Sequence, residues 1–424
     1  MKKPQAKKTK KVLIARNPLS RSLRSGSLPQ KGESRKVLIA LSGGIDSAVS
    51  AYLLIKQGYQ VEAAFMKNWS STAGLLKNEC PWLADRQEAL RVAAFLRIKL
   101  HTLDFEKQYQ DTVMKYFFTE YKAGRTPNPD VMCNKEIKFK LLYNWAMKNG
   151  FDYLATGHYA QTRIKNQELP ARHLLEHQAT AGGRIKGNKA STLNPQPSAL
   201  LRSKDEFKDQ TYFIYNIKSE QLPHILFPIG GMKKTAVKKL ADKLHLPNAG
   251  RKESMGLCFV GKIRLNEFLG QKLKPKMGKI VDQDGQILGH HEGLQQFTIG
   301  QRQGIKVGAN GPYFVFKKDL KANTLYVTNN PADERLFVKE IQLHSLNWIS
   351  PHYNLESKIP AYRTGRYNLT GRYRHQGELV PLTISKIKKD LYRVVFNKPQ
   401  KAVASGQSLV LYKGKECVGG GVIV

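Results

Sequence analysis

At 424 residues, with 41% hydrophobic and 24% charged side chains, the chain has material for roughly two to four folded domains, which excludes wholesale disorder. No apolar run approaches the ~18 residues that a membrane-spanning helix requires, and candidates such as Val37–Leu41 are strand-sized, so no membrane partner is expected. Seventy Lys and Arg against thirty-three Asp and Glu give a net charge of +37, which points to a polyanionic partner because neutralised phosphates release their counterions.

Residues 1–35 hold eleven Lys or Arg and a single acid, Glu33, and read as a flexible basic arm. The alternative for this arm is an organellar transit peptide, which would change the expected location from cytoplasmic to mitochondrial. Without it the body still carries +27. From Lys36 to about Tyr159, strand-like runs (Val37–Leu41, Val61–Met66, Lys99–Leu103, Tyr153–Thr156) alternate with helix-like ones (Ala48–Gln57, Arg86–Leu96). That order predicts a parallel sheet with helices on both faces. Residues 165–200, rich in Gly, Asn and Pro, lack sustained periodicity and read as a mobile surface insertion. Thr235–Leu244 is a predicted helix, and alternation in Leu391–Phe396 and Ser408–Tyr412 predicts a small antiparallel β-barrel at the C-terminus. The domains expected are therefore 36–226, 227–338 and 339–424 after the arm at 1–35. The fold class is α/β: a parallel-sheet first domain, a small central domain and an antiparallel barrel.

Four cysteines, Cys80, Cys133, Cys258 and Cys417, are scattered without a CxxC pair. Neither a disulfide framework nor a standard zinc or iron–sulfur site is suggested, and a reducing compartment fits. Cys80 and Cys417 read as structural. The strongest local signal is Ser42-Gly43-Gly44-Ile45-Asp46-Ser47, directly between a strand and a helix. Two glycines let backbone N–H groups approach an anion, two serines add hydroxyls, and the helix offers its positive end. The lysine of a Walker A loop is absent. Asp46 within such a cradle would repel phosphate unless a cation intervened, which implies Mg²⁺. The alternative is an ordinary tight turn with Asp46 as a cap.

The second signal is Arg125-Thr-Pro-Asn-Pro-Asp-Val-Met-Cys133-Asn-Lys. Two prolines stiffen it and hold Asn128, Asp130 and Cys133 in fixed relation. A carboxylate near a thiol disfavours thiolate, which Lys135 and Lys138 would offset. A buried structural cysteine is the competing reading. Cys258 lies in Glu253-Ser-Met-Gly-Leu-Cys258-Phe-Val-Gly, and either an accessible loop or a strand core would suit it.

Taken in order, several strings resemble the tRNA-specific 2-thiouridylase family of the PP-loop ATP pyrophosphatases. They are Ala40–Ser47, Phe65–Trp69, Ala123–Asn134, Ala155–Ala160, Lys208–Phe213, Cys258-Phe, Phe297–Arg302 and Gly419–Ile423. The resemblance runs from about Val37 to the C-terminus and breaks at the arm and at 165–200. It implies ATP-dependent replacement of O2 of the wobble uridine by sulfur. Ala40, Leu41, Ser42, Gly43, Gly44, Ile45, Asp46 and Ser47, with Met66 and Gly157, would line the ATP site. Asn128, Pro129 and Asp130 would meet the target base, with Asp130 as acid/base. Cys133 would be the nucleophile and Cys258 the persulfide carrier, the two forming a transient disulfide. Lys208, Asp209 and Gln210 would touch tRNA, as would Arg372 and Tyr373, preferred over the similar pair Arg366 and Tyr367 because Arg374 follows. The partners implied are the tRNA anticodon loop and a sulfur donor such as a cysteine desulfurase or a persulfide relay protein. Rival readings are a PP-loop enzyme acting on another base, one forming lysidine, or a non-catalytic RNA-binding protein.

Overall fold

The computed structural model describes residues 35–71, 81–163, 198–252, 265–270, 272–305, 307, 312–355 and 366–424. The arm at 1–34, most of the 165–200 insertion, Cys80 and Cys258 lie outside the described residues. Strand β1 (Lys36–Ala40) is the centre of the first domain, and its two faces fill two cores. Val37 and Ile39 enter one with helices α1 (Ile45–Lys56) and α2 (Pro81–Leu96). Leu38 and Ala40 enter the other, beneath α3 (helical over 106–122) and α4 (helical over 129–148). A strand buried on both faces reads as an unbroken apolar run, which is why the sheet was legible as such.

Strands β2 (Gln60–Lys67) and β3 (Leu100–Asp104) extend the sheet to one side, and β4 (Tyr153–Ala155) pairs with the other edge of β1. The hairpin of β5 (Ala160–Arg163) and β6 (Ala199–Arg202) then leaves the sheet, and β7 (Ile225–Leu226) returns to its edge beside β4. The order β3-β2-β1-β4-β7 reverses direction between β1 and β4. In an open parallel sheet that reversal leaves a crevice beyond the strands' carboxyl ends. The predicted insertion extends less far than its sequence suggests, because Ala199 and Leu200 are buried strand residues.

Three further helices follow: α5 (Thr211–Ile214), α6 (Lys234–Lys243) and α7 (Leu265–Gly270). The central unit is a sheet of β8 (Gly278–Val281), β9 (Ile287–His291), β10 (Phe314–Asp319) and β11 (Thr324–Thr328), with its own core around Ile280, Val315 and Leu325. The C-terminal unit comprises β12 (Phe337–Trp348), β13 (Arg366–Arg372), β14 (Val380–Lys388), β15 (Leu391–Lys401), β16 (Ser408–Lys413) and β17 (Glu416–Ile423). Pairing of β12 with β17 closes these six antiparallel strands into a barrel. Closure satisfies the edge hydrogen bonds within the domain. The β5–β6 hairpin attaches to the start of β17, joining the barrel to the first domain.

Candidate active site

The segment 41–47 occupies the mouth of the crevice. Gly43 adopts φ +79, and a Cβ there would stand 2.5 Å from the Asp85 carbonyl oxygen, so only glycine fits. Gly44 caps α1 without a side-chain hydrogen bond, its own N–H donating to Ser42 Oγ at 3.4 Å, and a helix start of this kind suits an anion. Asn248 Nδ2 and Arg251 Nη1 donate to the Gly43 carbonyl at 2.8 and 3.1 Å, and Arg251 also pairs with Asp85. The 248–251 segment, itself braced by Asp85 of α2, thus clamps the turn before any ligand arrives. Met66 lies beyond the carboxyl end of the β1–β2 pairing, and Gly157 beyond that of β4. A Cβ on Gly157 would meet the Ser47 nitrogen at 2.8 Å. Gly157→Ala is therefore expected to push α1 from its seat and weaken ATP binding by about tenfold, measured by calorimetric titration, because overpacking costs roughly 1–3 kcal/mol.

Asp46 already has its cation. Lys234 Nζ donates to both carboxylate oxygens at 2.8 Å, and the Tyr159 hydroxyl donates to Oδ1 at 2.9 Å. Lys234 is 8% exposed and sits in the first turn of α6. Sequence reading passed over it, yet a signal existed. A lysine at the positive end of a helix is disfavoured unless a carboxylate meets it. The fit to Mg²⁺ is narrow: among the described residues no group of three His, Cys, Asp or Glu is arranged to hold a metal. Magnesium beside a nucleotide needs few carboxylates when phosphates supply the other oxygens, and Asp46 suits that manner of binding.

The proline-rich stretch is a loop only as far as Asn128. Asn128 Oδ1 accepts the Val131 N–H at 3.3 Å, Pro129 occupies the first helical position, and Asp130 lies in the first turn. Asn, Pro and Asp in that order form a helix start, which corrects the expectation of a stiff loop reaching Cys133. The loop is tied to the other two domains. Thr126 N–H donates to Ser405 O at 2.9 Å, Gln407 Nε2 donates to Thr126 O at 2.9 Å, and the hydroxyls of Thr126 and Thr298 bond at 3.0 Å. Asn128 and Asp130 are half-buried, whereas Cys133 is fully buried at 0% exposure. After Cys133 the helix widens to i→i+5 pairing over Asn134–Leu142, a winding frequent at functional sites. One wide turn on, Lys138 Nζ lies 3.5 Å from His158 Nε2, whose Nδ1 bonds the Thr156 hydroxyl at 2.7 Å. Burial, aided by the Lys138 charge, pushes the His158 pKa well down, so its ring is neutral. Because His158 follows Gly157, which packs against Asp46 and Ser47, this contact links the Cys133 helix to the glycine turn at 42–47. Cys417, by contrast, is buried in β17, and burial drives its thiol pKa far up.

Two of the expected tRNA contacts face inward. Asp209 is 1% exposed and Arg372 5%. Arg372 Nη1 donates to Asp209 Oδ2 at 3.1 Å, and the Thr211 hydroxyl donates to both Asp209 oxygens at 3.0 and 2.9 Å. A carboxylate enclosed in this way cannot meet solvent-borne RNA; the pair locks the first domain to the barrel. Gln210 Oε1 accepts the Tyr159 N–H at 2.9 Å, so it holds the residue that touches Asp46. Lys208 and Tyr373 keep exposed surface.

The model of the tRNA methyl transferase HUP domain family matches residues 35–262, that of the tRNA methyl transferase PRC-barrel domain 266–329, and that of the aminomethyltransferase beta-barrel domain 338–423. The tRNA-specific 2-thiouridylase MnmA of Lysinibacillus sphaericus is 40% identical over 389 residues, covering 92% of this chain and 94% of that protein. Its counterpart from Pediococcus pentosaceus is 39% identical over 394 residues, with the same two coverages. A crystallised 4-thiouridine synthetase–RNA complex with bound ATP covers 56% of this chain and 50% of its own at 18% identity and a TM-score of 0.32, a likeness too slight to transfer any property. Matched along nearly its whole described length and at this identity, the chain belongs to the tRNA-specific 2-thiouridylase family.

Proposed function

We propose that this chain is an ATP-dependent tRNA sulfurtransferase that converts the wobble uridine of tRNA to 2-thiouridine. The observation that carries the reading is the seam at the sheet's reversal point, where a clamped phosphate loop and the Asn128–Cys133 helix start are linked through Lys138, His158 and Gly157. The family descriptions speak of methyl transfer, but a methyl donor arrives already activated. An anion cradle next to a cysteine suits activation by ATP followed by sulfur attack.

A uracil C2 oxygen is a poor leaving group. The chain binds ATP along residues 40–47, with Met66 and Gly157 bounding the site, and O2 attacks the α-phosphorus, releasing pyrophosphate and leaving AMP on O2. Asp46 would hold Mg²⁺, whose chemistry is to balance the pyrophosphate charge. Lys234 lends a second positive charge beside it. Asn128, Pro129 and Asp130 position the turned-out base, and Asp130 moves a proton at it. The terminal sulfur of a Cys258 persulfide replaces the O2–AMP group at C2. Cys133 attacks the inner sulfur of Cys258, so the S–S bond to the transferred sulfur breaks and a Cys133–Cys258 disulfide forms. An external thiol then reduces that disulfide, and a cysteine desulfurase or relay protein reloads Cys258. Since Cys133 is buried, a local opening must expose it during the cycle. Lys208 and Tyr373 contact the tRNA directly, while Asp209, Gln210 and Arg372 hold the surface that presents them. The basic arm adds charge-driven affinity.

Incubating the protein with unmodified tRNA, ATP and a sulfide or persulfide source tests this directly. Nucleoside mass spectrometry is expected to show 2-thiouridine only when ATP is present. Sulfur at another base, or a lysine adduct on cytidine, would establish a rival instead.

A further inference from the structure

The turn between β6 and α5 holds Phe207 out in solvent. The residue is 67% exposed, and it is the one aromatic among the large apolar side chains left exposed by the described residues. This turn is not loose. The Ser203 hydroxyl donates to Asp205 O at 2.6 Å, and the Lys208 N–H donates to Asp205 Oδ1 at 3.2 Å. Asp205 Oδ2 accepts the Lys234 N–H at 2.8 Å, which anchors the turn to the helix that carries the Asp46 cation. A well-anchored turn that leaves a large apolar ring bare forgoes the burial such a ring normally gains. The ring calls for an occupant.

Its surroundings identify the chemistry of that occupant. Lys208 Nζ lies 6.0 Å from the ring centroid, and Lys204 is exposed nearby in the same turn. Gln376 Nε2 donates to Phe207 O at 3.4 Å, stitching the turn to the β13–β14 connection. That connection walls a cavity of about 380 Å³ lined by Tyr373, Arg374, His375 and Gln376 among others. The Arg374 guanidinium sits 4.9 Å over the Tyr373 ring, and His375 packs 4.5 Å from Phe213. Phe213 in turn accepts a hydrogen bond from Asn134 at 3.1 Å, next to Cys133. Aromatic faces interleaved with cations grip single-stranded nucleic acid: bases stack on the rings while phosphates meet the charges. Turning a target base out of its loop also strips a neighbouring base of its stacking partner.

Building on the thiolation reading, we propose that Phe207 is a stacking platform for one unpaired anticodon-loop base adjacent to the turned-out target. A docking protein is the competing occupant, and the surrounding lysines and arginine favour RNA over it.

The test compares the full chain with its Phe207→Ala and Phe207→Trp variants in binding a synthetic anticodon stem-loop. A parallel set of RNAs lacks one loop base at a time. Phe207→Ala is expected to weaken binding about 5- to 100-fold without changing the salt slope, since the lost contact carries no charge. Phe207→Trp should restore affinity, with its fluorescence quenched by the RNA. On the RNA lacking the stacked base, the alanine penalty should vanish. Equal affinity of wild type and Phe207→Ala, or the same penalty on every abasic RNA, would overturn the proposal. So would unchanged RNA affinity combined with slower sulfur uptake from a cysteine desulfurase, which would assign the ring to a protein partner. If wild type thiolates the RNA and Phe207→Ala behaves identically, the platform alone is lost. If wild type neither binds nor thiolates it, the thiolation reading itself falls.

Discussion

Cys133→Ala and Cys258→Ser are each expected to stop 2-thiouridine formation, with a loss of at least about 10³-fold, while tRNA affinity stays within about twofold. Neither replacement can form a persulfide or expel one, because the reaction requires a thiolate nucleophile and a sulfur leaving group. Alanine is preferred at position 133 because a serine hydroxyl placed in that fully buried site would add a desolvation cost of roughly 1–3 kcal/mol. ATP–pyrophosphate exchange in the presence of tRNA should survive both changes, since adenylation precedes sulfur attack. That survival separates lost chemistry from lost folding. Cys417→Ala supplies the control: its thiol is equally buried but lies in barrel strand β17, so stability should fall while thiolation per folded molecule persists. Thiolation by Cys133→Ala at more than a few per cent of the wild-type rate would remove Cys133 from the mechanism.

Lys234→Met is expected to have the second large effect, and on the earlier step. Lys234 meets both oxygens of Asp46 in a half-enclosed setting, so removing the ammonium leaves a carboxylate facing the phosphate site. Breaking such a pair from one side costs roughly 3–5 kcal/mol where burial is complete; here Asp46 retains 31% side-chain exposure, so about 1–2 kcal/mol of stability is the expected loss. Adenylation should suffer far more, by about 10²- to 10⁴-fold, as repulsion now opposes the triphosphate. The double variant Lys234→Met, Asp46→Asn should recover the melting temperature, since no charge is stranded, yet stay inactive in ATP–pyrophosphate exchange. Recovery of activity together with stability would mean that Lys234 serves only to neutralise Asp46.

The parallel sheet, the helices on its faces and the closed barrel were readable from residue order. Apolar runs such as Val37–Leu41 and alternating ones such as Leu391–Phe396 state their own periodicity, and burial on both faces or one face follows from it. The turn at Ser42–Ser47 was equally legible as a turn, because glycines between a strand and a helix announce a local backbone geometry. Helix α4 was not foreseen: the two prolines of Arg125–Cys133 suggested a loop, although the second of them begins the helix that buries Cys133. What only tertiary structure decided were the pairings across long sequence gaps. Asp46 with Lys234, Asp209 with Arg372 and Gly43 with Arg251 join residues from different elements. A charge's partner, and whether it meets water or another side chain, depends on how strands and helices are brought together, and a linear pattern carries no record of that.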